Sequence, residues 1–184
     1  WAVIAVQGPN AREVLEPLLE DIDLSREAFP HMAIREGRIC GVQTRLFRVS
    51  FTGELGYEVN VPSDYGRAVW EAIWANVEKV GGCAYGTEAM HVLRAEKGYI
   101  IVGQETDGTV TPDDLGLTWA VGKNKPDFVG KRSLTLPDMM RPDRKQLVGL
   151  ITEDPNVVLE EGAQVTREAD PPKGTPALGH VTSA

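Results

Sequence analysis

Val42-Gln43-Thr44-Arg45-Leu46, Thr52-Gly53-Glu54-Leu55-Gly56 and Tyr57-Glu58-Val59-Asn60-Val61 succeed one another in the first half of the chain. Residues 39–50 alternate in character, with Val42, Thr44 and Leu46 on one face and Gln43 and Arg45 on the other. That period of two is the pattern of a half-buried strand. Two glycines then interrupt the run, and residues 57–61 resume it, so the stretch reads as a β-hairpin.

Working outward, residues 2–6 form a short apolar run closed by Gly8-Pro9-Asn10. Pro9 suits a first helical turn, where a missing N–H costs nothing. Val14, Leu15, Leu18 and Leu19 then recur at helical spacing, predicting a helix to about residue 20. Residues 21–38 are polar and turn-rich. After the hairpin, Ser63 reads as the N-cap of a helix over 64–80, with Val69, Ile73, Val77 and Val80 as its stripe and Gly81-Gly82 as its stop. A further helix is expected from Thr87 to about Lys97, ended by Gly98. Strand, helix, strand, strand, helix is the order of an α+β fold with a split-βαβ, ferredoxin-like lobe.

The character changes past residue 100. Gly103, Gly108, Pro112 and the acids Glu105, Asp107, Asp113 and Asp114 make residues 102–114 a loop. Residues 117–121 read as a returning strand, and the Pro-, Arg- and Asp-rich 135–145 as a linker. From Gln146 onward, short β-like runs between prolines and glycines predict the start of a small C-terminal β-barrel.

Composition excludes several classes. With 42% apolar and 25% charged residues among 184, the chain is neither disordered nor fibrous. No apolar run approaches the ~18 residues of a membrane-spanning helix. A net charge of −8 argues against nucleic-acid or anionic-membrane partners, while leaving room for a local basic pocket. Cys40 and Cys83 sit in apolar contexts without CxxC spacing and are expected to be buried, reduced thiols. The histidines at 31, 91 and 180 offer no metal-ligand spacing, so no metal site is expected. Trp1 opens directly into an apolar strand, and residues 180–184 read as a strand cut short. A piece of a longer polypeptide is therefore expected.

Two side chains stand out chemically. Glu58 shares a strand face with Gly56 and Asn60. If that face is solvated, Glu58 is an ordinary exposed strand residue. If the face is covered, its carboxylate needs donors, and a flat heterocycle with two adjacent N–H groups would supply them. Arg94 lies at the edge of its helix's apolar side; it is either a snorkelling surface arginine or a fixed guanidinium facing a ligand oxygen. Trp70 and Trp74, four apart on one helix, read as core or interface packing.

The blocks Ala5-Val6-Gln7-Gly8-Pro9-Asn10-Ala11, Phe51-Thr52-Gly53-Glu54-Leu55-Gly56-Tyr57-Glu58 and Leu93-Arg94-Ala95-Glu96-Lys97-Gly98 together resemble the aminomethyltransferase (glycine-cleavage T-protein) fold family. Gly103-Gln104-Glu105, Thr111-Pro112, Leu117-Thr118-Trp119, Asp127-Phe128-Val129-Gly130-Lys131, Leu147-Val148-Gly149-Leu150 and Val181-Thr182-Ser183 continue the series in order. Residues 85–109 and 141–150 look like one branch of it, the alpha subunits of heterotetrameric sarcosine oxidases. Met90-His91-Val92-Leu93-Arg94 stands where T-proteins usually carry an Arg-Asp-Thr-Leu-Arg run, a departure that favours this branch.

The resemblance implies a tetrahydrofolate site in which Glu58 accepts hydrogen bonds from the pterin, Arg94 lies at the ligand, Trp119 packs beside it and Phe51 occupies an aromatic position. It implies a folate-binding region over 1–134 lacking its first part, the linker, and a barrel over 146–184 lacking its last strands. The family's catalytic aspartate is expected upstream of this chain, which by itself is expected to be inactive. FAD, FMN and NAD are expected elsewhere in the complex, with beta, gamma and delta subunits as partners, in the cytoplasm. The implied reaction is capture by folate of the one-carbon unit from sarcosine oxidation, giving glycine and 5,10-methylenetetrahydrofolate. A free-standing aminomethyltransferase and a non-enzymatic folate-binding module are the alternatives.

Overall fold

The computed structural model describes residues 1–184, which divide into two compact units, residues 1–99 and 100–184. The first unit is built on a four-stranded sheet. Its strands are β1 (Ala2–Gln7), β2 (Ile34–Ile39), β3 (Val42–Phe47) and β4 (Gly56–Val61), in the order β1-β4-β3-β2. All three pairings are antiparallel, with Ala5 opposite Glu58 and Leu46 opposite Val59. The expected hairpin is the β3–β4 pair. β1 and β3 run in the same direction with β4 between them, and β2 adds an edge strand that the expected order of elements did not contain.

The difference arises at Cys40-Gly41. Both residues have positive φ, 51° and 75°, as a tight hairpin turn requires. The run read as one strand over 39–50 therefore folds back on itself. Its first arm, β2, comes from the stretch read as turn-rich. The turn also carries the Cys40 side chain outward; Cys40 and Cys83 are both exposed and free, contrary to the expected burial. The outer edge of β2 is covered rather than bare, since Cys40 N–H donates to the Leu18 carbonyl (2.9 Å) and Arg38 N–H to Asp21 Oδ1 (2.7 Å).

One face of the sheet carries the core. Ile4, Val6, Leu46, Tyr57, Val59 and Val61 point to that side by strand alternation. Two helices cover them: α1 (Ala11–Leu15), through Val14 and Leu15, and α2 (Gly66–Lys79), through Val69 and Ile73. The first helix is shorter than its apolar spacing predicts. Pro17 has no N–H to continue the ladder, and residues 16–18 tighten into a 3-10 turn. Ser63 is not a helix cap. It opens a separate 3-10 turn, and its hydroxyl accepts from the Trp1 amine at 2.9 Å. Trp70 and Trp74 stack on each other on α2, with centroids 6.4 Å apart and Trp70 largely exposed. The third helix, α3 (Thr87–Lys97), matches its expected span and stops at Gly98, whose φ of 80° is the left-handed C-terminal geometry.

The second unit has little regular structure. Residues 118–120 and 133–135 form 3-10 turns, and β5 (Gln164–Val165) pairs antiparallel with β6 (Gly179–His180). The returning strand expected at 117–121 is thus a turn, and a two-strand ladder stands where the start of a barrel was expected. No helix of the chain is long and apolar enough to cross a membrane.

Candidate functional site

The site of the first unit is assembled on the loop between β3 and β4. Gly8 N–H donates to the Leu55 carbonyl (2.8 Å), and Gln7 Oε1 accepts from the hydroxyls of Ser50 (2.9 Å) and Thr52 (3.1 Å). The Gln7 amide lies directly against Gly56, where a Cβ would overlap it, so a side chain there must push the amide aside. On the other side, a Cβ on Gly53 would meet the Lys97 side chain at 2.6 Å. The loop is therefore clamped between the end of β1 and the end of α3. Gly56→Ala is expected to displace the Gln7 amide and destabilise the loop by about 1–3 kcal/mol, through overpacking. Faster amide hydrogen exchange over 50–56 would register it.

Arg94 is 1% exposed, which removes the snorkelling alternative. Its Nη1 donates to the Tyr99 carbonyl at 3.2 Å, and Tyr99 N–H donates back to the Arg94 carbonyl at 2.8 Å. The Tyr99 ring in turn stacks on Phe51, with centroids 6.4 Å apart and planes inclined by 25°. Arg94 and Phe51 are thus joined through one residue, which follows the left-handed Gly98.

Glu58 projects from β4 on the face opposite Tyr57 and Val59, because successive strand side chains alternate. It is half-buried, and its carboxylate makes no hydrogen bond or ion pair. Its electrostatic neighbour is Tyr85. Partial burial pushes the Tyr85 phenol above its ordinary value, and the negative charge of Glu58 pushes the same way. Trp119, the fourth expected site residue, belongs to the second unit, on a 3-10 turn, and is 76% exposed. Sequence reasoning missed Gln7 as a clamp and Tyr85 and Tyr99 as flanking aromatics. The tyrosines bracket α3, one just ahead of Gly86 and one just after Gly98, and that bracketing is the signal that marks them.

Residues 1–125, more than half of the chain, match the family model described as the GCVT N-terminal domain. The chain belongs to this family. Among curated relatives, sarcosine oxidase subunit alpha of Corynebacterium sp. (strain U-96) is 47% identical over 186 residues, covering 100% of this chain. The subunit of the same name from Rhizobium meliloti (strain 1021) is 39% identical over 193 residues, again across 100% of the chain. The aminomethyltransferase of Thermotoga maritima is 38% identical over 133 residues, 72% of this chain and 35% of its own length. The chain spans 19% of the length of the sarcosine oxidase relatives it matches. Three blocks that carried the resemblance meet in this GCVT domain, residues 51–56 touching Gln7-Gly8 on one side and Lys97 on the other.

Proposed function

We propose that this GCVT-domain chain is the tetrahydrofolate-binding part of a sarcosine oxidase alpha subunit. The observation that carries the reading is Glu58, a half-buried carboxylate without a partner on the sheet face away from the core. Such a group is poorly satisfied alone and is matched by two adjacent N–H donors of a pterin-like ring. Tyr85 and the Phe51–Tyr99 stack supply the flat apolar surfaces that a heterocycle needs. Arg94 holds Tyr99 and thereby Phe51. Bound tetrahydrofolate supplies the amine that takes up the one-carbon unit from sarcosine oxidation, giving glycine and 5,10-methylenetetrahydrofolate. This chain's contribution is to hold and orient the acceptor, which replaces an encounter in solution.

In this reading the folate region, with its ferredoxin-like lobe, runs over 1–134, a linker over 135–145, and the beginning of a β-barrel over 146–184. The acid or base, the FAD, FMN and NAD sites and the beta, gamma and delta partners lie elsewhere in the complex. Two exposed cysteines that form no disulfide fit a reducing, cytoplasmic setting. A free-standing aminomethyltransferase is the second reading, favoured by the Thermotoga maritima match. The higher identity across the whole chain supports the first.

In the complete protein, Glu58→Gln is expected to weaken tetrahydrofolate binding by roughly 1–3 kcal/mol, the cost of a mispaired buried contact. Flavin reduction by sarcosine should be unchanged in the same variant. Calorimetric titration with folate and stopped-flow flavin absorbance separate the two effects. Undiminished folate affinity would return Glu58 to the role of an ordinary strand residue.

A further inference from the structure

A polar concavity lies on the core side of the sheet, where its lining residue Phe29 packs on Tyr57. Arg12, Arg26 and Arg48 supply the charged wall of a cavity of about 440 Å³, with His31 beside them and Phe29 and Leu55 among its apolar lining. No carboxylate lines it, and none of the three guanidiniums pairs with an acid. That is notable in a chain of net charge −8, whose buried Arg144 is matched by the Asp114 carboxylate.

These polar side chains come from three separate places in the fold. Arg12 is on α1, Arg26 and His31 are in the irregular stretch between α1 and β2, and Arg48 directly follows β3. Arg48 is held in place, with its guanidinium 5.2 Å above the Tyr57 ring and Nη1 donating to the Gly56 carbonyl at 3.1 Å. Arg12 Nε is buried with no hydrogen-bond partner, and so is the hydroxyl of Tyr57, whose ring packs against Phe29 at 5.9 Å. Like charges gathered without a counter-charge repel, and each unpaired buried donor adds to the cost. An oxyanion in the cavity offsets the repulsion, since guanidinium forks match carboxylate and phosphate geometry.

We propose that this cavity is a ligand site distinct from the Glu58 site, taking a small organic anion with two or more phosphate or carboxylate charges. The multiple charge follows from three uncompensated guanidiniums, and the organic body from the apolar lining. The two sites lie on opposite sheet faces, because Tyr57 points into the core and Glu58 away from it.

The test is calorimetric titration of the complete protein with inorganic phosphate, pyrophosphate and citrate at neutral pH and low salt, where screening is weakest. Saturable one-to-one binding is expected for pyrophosphate or citrate, and the tighter of the two identifies the oxyanion class. Arg12→Gln and Arg26→Gln should each weaken it by about tenfold or more, with Arg12→Lys intermediate because it keeps the charge and loses the fork. Arg26 is exposed, so its variant folds normally, and Glu58→Gln should leave this binding intact while folate affinity falls. Absence of saturable binding by all three anions, or equal binding in the Arg12→Gln/Arg26→Gln double variant, overturns the proposal.

Discussion

Asp114→Ala is expected to destabilise the second unit by about 3–5 kcal/mol, the range for breaking a buried ion pair from one side. Arg144 Nη2 lies 2.5 Å from Asp114 Oδ2, and the two side chains are only 12% and 6% exposed. The same carboxylate accepts from Thr111 N–H (2.7 Å) and the Thr111 hydroxyl (2.9 Å). Arg144 also donates to the carbonyls of Thr109 (2.6 Å) and Asp138 (3.1 Å), so one guanidinium ties residues 109–114 to 138–144. No apolar core substitutes for this clasp. Every buried apolar side chain of the protein lies between Ile4 and Ile73, and the buried residues of the second unit are Glu105, Thr111 and Asp114. Amide hydrogen exchange over 109–116 would measure the loss.

The clasp also gives the unit a defined acid limit. Hydrogen bonding from Arg144 holds the Asp114 carboxyl well below the usual carboxylate range, outweighing the upward push of burial. An unfolded aspartate titrates near ~3.9, so the unfolded state binds the proton first as acid is added. The contribution is therefore complete above that value and is lost as pH falls toward the depressed folded value. In Asp114→Ala this acid dependence should disappear along with the stability.

Phe29→Ala carries the second large effect, about 3–5 kcal/mol for removing a fully buried ring. Phe29 is 1% exposed, packs on Tyr57, and has the Arg35 guanidinium 5.4 Å from its centroid. It anchors the irregular stretch between α1 and β2, which has no helix or strand ladder of its own. Phe29→Leu should retain most of the stability. Urea unfolding followed by exchange in β4 reads the change locally, as a two-unit chain requires.

What the residues disclosed beforehand follows from how strongly each position is constrained. The third helix was legible to the residue, because Gly98 is where a left-handed stop must fall. The β3–β4 hairpin was legible from its alternation. The β2 strand was hidden because Arg35, Glu36 and Arg38 face solvent, leaving Gly37 and Ile39 as its buried positions. Its turn was hidden because cysteine is not a usual occupant of a positive-φ position. At the site, Glu58 and Arg94 could be singled out as charges among apolar neighbours. Gln7 could not, since its importance comes from a contact with the distant Gly56. Tyr85 and Tyr99 fall outside any periodic segment, where pattern carries no information about facing.

The clamp around the β3–β4 loop has a consequence for transplantation. The octapeptide from Phe51 to Glu58 looks like a portable cassette, but its conformation is written in three places. A scaffold receiving it without a glutamine at the end of the neighbouring strand and a long aliphatic stem at the end of the helix would inherit the letters and lose the shape. The smallest transferable unit is a triad of segments, and homologues are best compared by asking whether all three changed together.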